Sequence, residues 1–513
     1  MTSIRGLEWP LVASIAAAAI LAAPLWCAAT PAMPDYPAHL ASFALIGGLP
    51  SRYYTVAWSL VPNLAAETIV PLLAKALPLE VATKAFLTAT VILWALGPAA
   101  LQRALFGRTN PAALLGAFFA YNANFMWGFF NYCFAAGLSF FLLAAWIASD
   151  RRWTALHYAA FALAFTILYF CHLFALAVLL LAIGGYELSG ALAERPWTAN
   201  DVLRRLVRLV GLCVPSLIFF LLKPAAAGNG LTFDLLDTMQ DRIEAAIQYG
   251  FDQPAWLLTV LLVAAFAVGV TAGRLVVHPR MRVTLILLAA GVLFAPEWAL
   301  GGWGVHLRLP AVLGVLALGS TDWKMPRYAF AAGTLALAVT MAGAGALTLN
   351  WRAYDAQYAE FRGHAADIGK GGRLLTVLDG DSLGWDPDQP YWHMAEFAVI
   401  DRAAFTPLMF TTTGQHVIQV RPPFDRIAAS TAAQGSPPDV DELDDLAARR
   451  RANDEDLADL SPYLSYFQCH FDQAIVIYGR GPHSRVPAML RLRSVRSFYA
   501  LYDIVPDARC RST

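Results

Sequence analysis

The chain has 513 residues, of which 58% are hydrophobic and 14% charged, well below the roughly one-quarter charge of a soluble domain. Lys and Arg together number 37, as do Asp and Glu, so the net charge is zero. This composition excludes a soluble enzyme and a disordered chain, and the charge balance gives no electrostatic case for a nucleic-acid partner. The charge is unevenly spread: residues 351–513 hold 22 of the 37 acidic and 17 of the 37 basic side chains. The sequence therefore divides into an apolar part, 1–350, and a polar C-terminal domain, 351–513.

A membrane-crossing helix needs about 20 largely apolar residues, because hydrocarbon leaves unpaired backbone groups unsatisfied. Windows of that character lie at 10–30, 82–101, 111–127, 128–148, 154–171, 172–188, 206–223, 254–272, 283–300, 305–320 and 327–349. They predict an all-α polytopic membrane protein of about eleven spans. The pairs 111–148 and 154–188 have little polar punctuation, so each reads as two short helices or as one long helix with a re-entrant piece. Arg103, Arg108, Arg151, Arg152, Arg195, Arg204, Arg205, Arg208, Arg274, Arg280, Arg282, Lys324 and Arg327 fall in the loops of one face. Because cytoplasmic loops collect basic residues, this pattern sets the N-terminus inside and, with an odd number of spans, the C-terminal domain outside. The first span reads as an uncleaved anchor. Arg outnumbers Lys 32 to 5, which suggests a GC-rich bacterial genome and hence a bacterial inner membrane with the C-terminal domain in the periplasm.

The loop after the first span, 31–81, opens with Pro34-Asp35-Tyr36-Pro37-Ala38-His39-Leu40 and continues through Trp58, Leu60, Val61, Leu64, Ile69, Val70, Leu72 and Leu73. It is too apolar for a water-exposed loop and predicts amphipathic helices lying in the membrane interface. On a helix, Asp35 and His39 share a face. There they could bind a metal or take a proton from a hydroxyl; the alternative is a helix cap and an interfacial histidine. Further on, Asn122, Asn124, Trp127 and Asn131 offer amides and an aromatic face suited to a sugar or acceptor groove. Equally, they serve as interfacial aromatics and interhelical hydrogen bonds. His172 reads as an interhelical histidine, and Asp234, Asp237, Asp241 and Glu244 as one helical face of a lid within 224–253.

In the C-terminal domain, 374–378, 417–420, 474–478 and 499–505 read as strands, and 352–368, 391–403 and 438–460 as helices, giving an α/β layer. Asp379, Asp381, Asp386 and Asp388 follow the first strand as a turn or a cation or carbohydrate site. Four cysteines lie in or beside spans; Cys469 and Cys510 lie in the exported domain, where they form either a disulfide or two unpaired thiols.

The plan of a first span, a large outer loop opening on an acid, many spans and an exported C-terminal domain resembles the GT-C superfamily of integral-membrane glycosyltransferases. That resemblance covers the plan of the whole chain and rests on the short Asp-Tyr-Pro-Ala-His motif. It implies transfer of a sugar from a polyprenyl-phosphate-linked donor to a glycan, lipid or protein acceptor, with Asp35 as the catalytic base and His39 assisting. If a divalent cation, Mg or Mn, takes part, Asp35 and His39 would hold it; the alternative is Asp35 as a lone general base without metal. Tyr36 stands where many members carry a second acid. A lipid-phosphate leaving group requires cations at the same membrane face, and Arg52, Lys223, His306 and Arg308 meet that need. Alternatively, Arg308 and His306 form a structural ion pair with the expected partner Glu297 or snorkel to the interface, and Arg52 and Lys223 are ordinary interfacial anchors. The rival classes are a transporter or flippase and a membrane assembly factor.

Overall fold

The computed structural model describes residues 8–149, 153–193, 198–224, 231–233, 235, 238–248, 255–300, 302–380, 390–428, 437–451, 463–464, 467–478, 486–508 and 510. Among them, six helices are long and apolar enough to cross a membrane: α1 (Trp9–Cys27), α4 (Leu79–Phe106), α7 (Phe130–Ala148), α9 (Leu173–Ala193), α10 (Ala199–Leu222) and α15 (Pro326–Gly363). The chain is thus a polytopic, mostly helical membrane protein. Shorter apolar helices occupy other expected windows: α8 (Ala155–Cys171), α12 (Ala255–Thr271), α13 (Arg282–Phe294) and α14 (Leu309–Gly319).

The window 111–127 is not a regular helix. It passes from one end of the bundle to the other as α5 (Ala112–Gly116), a 3-10 turn (Ala117–Tyr121) and α6 (Ala123–Trp127). Two local causes break it. Gly116 packs so closely on Pro98 that a Cβ would lie 2.3 Å from its Cγ. Asn122 is extended, and its side chain accepts from Asn124 N and Phe125 N to cap α6. Backbone this irregular survives at membrane depth only inside protein, and its residues are almost all buried.

Loop 31–81 contains α2 (Tyr36–Ile46), β1 (Tyr54–Val56) and α3 (Ala65–Leu73). The two helices differ from each other, and α2 does not lie open as an interfacial helix would. Around α3, Trp58, Leu60 and Leu72 are exposed, whereas α2 is buried along nearly its whole length. The reason is the C-terminal domain, which covers α2: Ala41, Leu45, Tyr53 and Tyr54 belong to the same apolar core as Leu375, Val399, Phe405, Leu408 and Ile418.

That domain is built on a four-stranded sheet of β4 (Leu374–Leu378), β6 (Gln473–Ile477), β8 (Tyr499–Ile504) and β7 (Leu490–Val495), in the order β4-β6-β8-β7. The β4–β6 pair is parallel and the others antiparallel. The segment expected as a strand at 417–420 does not join this sheet. As β5 (Ile418–Val420) it pairs antiparallel with β1 of loop one, Tyr54 opposite Val420. The edge strand β7 has no counterpart in the sequence reading, because Arg491 and Arg493 break up its apolar run. Cys469 and Cys510 are joined by a disulfide.

Helix α15 joins the two parts. Its 38 residues span about 57 Å at 1.5 Å per residue, more than the roughly 30 Å of a hydrocarbon core. Its last turns leave the bundle and bury Trp351, Tyr358 and Phe361. Arg362 near its end binds Asp401 of the C-terminal domain (3.0 Å) and Glu80 at the start of α4 (3.2 Å).

The Tyr54 hydroxyl donates to Thr406 O (2.8 Å) and accepts from Thr406 N (3.0 Å), both buried. Tyr54→Phe strands these backbone groups and should cost about 1–3 kcal/mol, read as a lower melting temperature of the detergent-solubilised protein. An unchanged melting temperature would show that loop one and the C-terminal domain do not depend on this contact.

Candidate active site

The exit from α1 is fixed by charged side chains. Asp355 of α15 accepts from Ala29 N (2.9 Å) and Thr30 N (3.0 Å), and Lys84 of α4 donates to Ala28 O (2.7 Å). Pro31 and Pro34 then prevent helix from continuing, and the chain reaches Asp35, whose N–H donates to Trp127 O (3.0 Å). Gly128 lies against it: with φ at +106°, it packs so that a Cβ would stand 2.6 Å from Asp35 Cβ. Asp35 occupies the N-cap position of α2, but its side chain makes no capping hydrogen bond. The cap alternative is therefore not the one the structure adopts.

The Asp35 carboxyl faces the C-terminal domain instead. Its Oδ1 is 3.6 Å from His393 Nε2, and His393 Nδ1 is in turn 3.8 Å from Glu396 Oε1. Both His393 and Glu396 are buried, and Glu396 is 0% exposed. One helical turn along α2, His39 stacks on Phe130 (4.5 Å between ring centres) and meets the edge of Phe410 (4.9 Å). His39 Nδ1 is 3.9 Å from Glu67 of α3, and Asn131 Nδ2 donates to the other Glu67 oxygen at 2.7 Å. Phe410 also touches His393 (5.1 Å) and His416 (5.4 Å). Asp35, Glu67, His393 and Glu396 thus gather around two imidazole–aromatic stacks at the loop-one end of the bundle.

Burial dominates the electrostatics. It raises the Asp35 pKa to about 7, with His393 pulling it down and Glu396 pushing it up. Glu67 is raised to about 7 by burial, against the Asn131 hydrogen bond. Burial lowers His39 to about 3, aided by His416 and His393, and lowers His416 to about 4. His393 alone moves the other way: burial lowers it, but Glu396 beside it, with the charge of Asp35, outweighs that and raises it. Near neutral pH, Asp35 is a carboxyl poised between its two forms, beside one imidazole whose proton affinity is raised and two that burial keeps neutral.

Asp35 and His39 do not converge on a common cation position. His39 turns toward Glu67 and the phenyl rings, and the described residues contain no group of three His, Cys, Asp or Glu side chains able to hold a metal. These two side chains do not by themselves form the expected Mg or Mn site.

The other expected residues separate into two kinds. The Arg308 guanidinium sits over Phe129, Tyr132 and Phe174, 5.4–5.5 Å from each ring centre, and donates to Trp303 O at 3.0 Å. The expected partner Glu297 does not reach it; Glu297 accepts from Trp303 Nε1 instead (3.0 Å). Arg308 has no carboxylate in ion-pair range among the described residues, and its Nε is buried without a hydrogen bond. His306 is buried 3.8 Å from Asp241 of the short helix α11 (Met239–Glu244). The described part of 224–253 is tied down by Arg242, which donates to Val292 O and Ala295 O at the end of α13; Asp234, Asp237 and Asp252 lie outside the described residues, as do Asp381, Asp386 and Asp388.

Arg52 and Lys223 stand apart from this site. Arg52 donates to the Tyr53 hydroxyl and to Gly371 O, holding the C-terminal domain to loop one. Lys223 is near the Phe220 ring at the end of α10. The asparagines work as scaffold: Asn122 caps α6, Asn124 donates to Leu307 O (2.8 Å), and Asn131 binds Ala66 N, Asn63 O and Glu67. Trp127 packs against Trp303 (5.2 Å) and Trp392 (5.9 Å), half-buried, at the same end. His172 meets Tyr132 edge-on (5.3 Å), behind Arg308.

Sequence reasoning missed Glu67, His393, Glu396 and His416. Glu67 had a signal, as the only acid between residues 60 and 74. His393 and Glu396 had another: a polar pair three residues apart in the otherwise apolar run 391–400.

No family model and no curated protein matches the chain. Among solved structures it is similar to the arabinofuranosyltransferase AftD from Mycobacteria, with 15% identity and a TM-score of 0.48, over 97% of this chain and 42% of that one. The chain spans less than half the length of that protein.

Gly128→Ala forces an L side chain into a left-handed backbone and into Asp35, whereas Gly107→Ala (φ +69°) meets nothing within 4 Å. Each should lose about 1–3 kcal/mol from backbone strain, with a further loss at Gly128 read as a larger fall in melting temperature. Equal losses would show that Asp35 is not pinned at this contact.

Proposed function

We propose that the chain is a membrane glycosyltransferase that moves a sugar from a polyprenyl-phosphate donor to a glycan, lipid or protein acceptor. The observation that carries this reading is Asp35: a buried carboxyl at the loop-one end, free of any capping role and poised near pH 7. In this arrangement the chain crosses a bacterial inner membrane about eleven times, counting the shorter apolar helices and the broken passage at 112–127. Loop one and the C-terminal domain lie together on the periplasmic side.

The chemistry requires a base for the acceptor and a counter-charge for the leaving group. The acceptor oxygen attacks the anomeric carbon as the bond from that carbon to the phosphate oxygen breaks, its electron pair going to the phosphate. The acceptor proton passes to the Asp35 carboxylate, whose raised pKa suits proton uptake near neutrality. Arg308, a cation lacking an ion-pair partner among the described residues, supplies the counter-charge for the phosphate. His39 is neutral over the working range and stacked on Phe130, so its part is to shape the wall beside Asp35. Trp127, with Trp303 and Trp392 around it, offers aromatic faces for a sugar ring.

Asp35→Asn, with expression unchanged, should abolish transfer of labelled sugar from a polyprenyl-phosphate donor. In the wild type the rate should fall about tenfold per pH unit below about 7, because a base works only when deprotonated. Transfer retained by Asp35→Asn would remove Asp35 from the chemistry. Binding of a polyprenyl phosphate to the purified protein should weaken by about 2–5 kcal/mol in Arg308→Ala. No saturable binding by the wild type would turn the reading toward a transporter or assembly factor.

A further inference from the structure

We propose that His393, backed by Glu396, is a positioning residue of the Asp35 site: an imidazole delivered by the C-terminal domain that sets its Nε2 against the Asp35 carboxyl and tunes it as the proton acceptor. The inference deepens the glycosyltransferase reading and rests on it for the reaction, but not for the electrostatics.

Geometry supports it first. His393 lies between two carboxylates, with Nε2 3.6 Å from Asp35 Oδ1 and Nδ1 3.8 Å from Glu396 Oε1. Glu396 is fully buried, and neither of its oxygens meets a closer hydrogen-bond partner among the described residues. A carboxylate taken out of water is costly unless a cation faces it, and the cation available to Glu396 is His393. The i, i+3 spacing places the two on one side of the 3-10 turn Met394–Glu396, so the pair is built in locally before it meets Asp35.

The segment carrying them is held rigidly against α15. Tyr358 donates to Pro390 O (2.9 Å), Tyr391 donates to Gln357 (2.8 Å), and Arg362 binds Asp401. Phe410 meets the His393 ring edge-on at 5.1 Å. Among the described residues, the titratable groups facing this position are Asp35 and His39 from α2, Glu67 from α3 through His39, Glu396 from the 390–402 segment, His416 from the loop before β5 and, on the Glu396 side, Tyr54 of β1 and Tyr463. His39 and His416 are kept neutral by burial. Of the three imidazoles, His393 is the one set between two carboxylates, and its proton affinity is raised where theirs is lowered.

The consequence for Asp35 is a balance between two opposed effects. Burial and Glu396 favour its protonated form, while the charge of His393 favours the ionised form. Without the charge of His393, the Asp35 titration moves further up and a smaller share of the carboxyl is ionised to accept the acceptor's proton at pH 7. The base on loop one is therefore more competent when His393 of the C-terminal domain is seated over it.

The test is the ionisation of Asp35 itself. The carboxyl infrared band of detergent-purified protein labelled in its aspartates is titrated, with Asp35→Asn identifying the band, in wild type, His393→Gln and His393→Lys. His393→Gln should move the Asp35 titration upward by about 1–3 pH units, the usual effect of losing an adjacent opposite charge. The acid limb of the transfer rate should move with it, so that the rate at pH 7 falls about tenfold per unit and recovers at alkaline pH. His393→Lys, which restores a cation, should keep the limb near its wild-type position. An Asp35 titration unchanged in His393→Gln, or one raised as far in His393→Lys, would overturn the proposal, as would a rate loss equal at all pH values. Absence of transfer by the wild type would instead count against the glycosyltransferase reading, leaving the infrared titration to decide the role of His393.

Discussion

Asp35 is buried because three distant parts of the chain close over it. Loop one supplies the residue, the Trp127–Gly128 turn holds its backbone, and the C-terminal domain brings His393 to its carboxyl. A carboxyl in that position cannot be solvated by water, so its state is set by protein groups alone. Much of the remaining architecture serves this closure. The extension of α15 beyond the bundle carries the C-terminal domain to the loop, the β1–β5 pair stitches the two together, and Asp355 and Lys84 fix where the chain leaves α1.

The broken passage at 112–127 has a related purpose. A straight helix would present its turns evenly along the bundle, whereas the Asn122 cap and the Gly128 turn bend the chain so that Trp127 and Phe129 project at the loop-one end. Asp35 is bonded to Trp127, and the Arg308 guanidinium rests on Phe129, two residues further on. The Asn124–Leu307 bond and the Tyr132 hydroxyl on Arg308 O lock the cation's backbone to the same turn. Asp35 and Arg308, to which the proposed reaction assigns the proton and the phosphate, are thereby held by one short stretch of chain.

The sequence made much of this plan legible. Apolar length located α1, α4, α7, α9 and α15, and compartment chemistry brought Cys469 and Cys510 together as a candidate pair. Asp35 could be singled out because an acid directly after a span is conspicuous in apolar surroundings. The remainder depended on contacts that no local pattern encodes. Val417–Val420 has strand propensity, but nothing in it names β1 as its partner across more than 350 residues. Glu297 is near Arg308 in sequence, yet Trp303 intercepts it. His393 and Glu396 look like the polar face of a short helix until Asp35 is placed opposite them. Asn122, Asn124 and Asn131 have the composition of a sugar groove, and the structure shows them also tying the chain together: Asn122 caps α6, Asn124 donates to Leu307 O, and Asn131 bonds Ala66 N, Asn63 O and Glu67.

The most direct test of the account is a single-particle structure of the protein in a lipid nanodisc with a bound polyprenyl phosphate. The account places the phosphate at ion-pair distance from Arg308, beside Phe129, Tyr132 and Phe174 and on the side of the Trp127–Phe129 turn that faces Asp35. A phosphate seated at the opposite end of the bundle, near Arg108 and Asp322 or near Arg205 and Glu187, would contradict it.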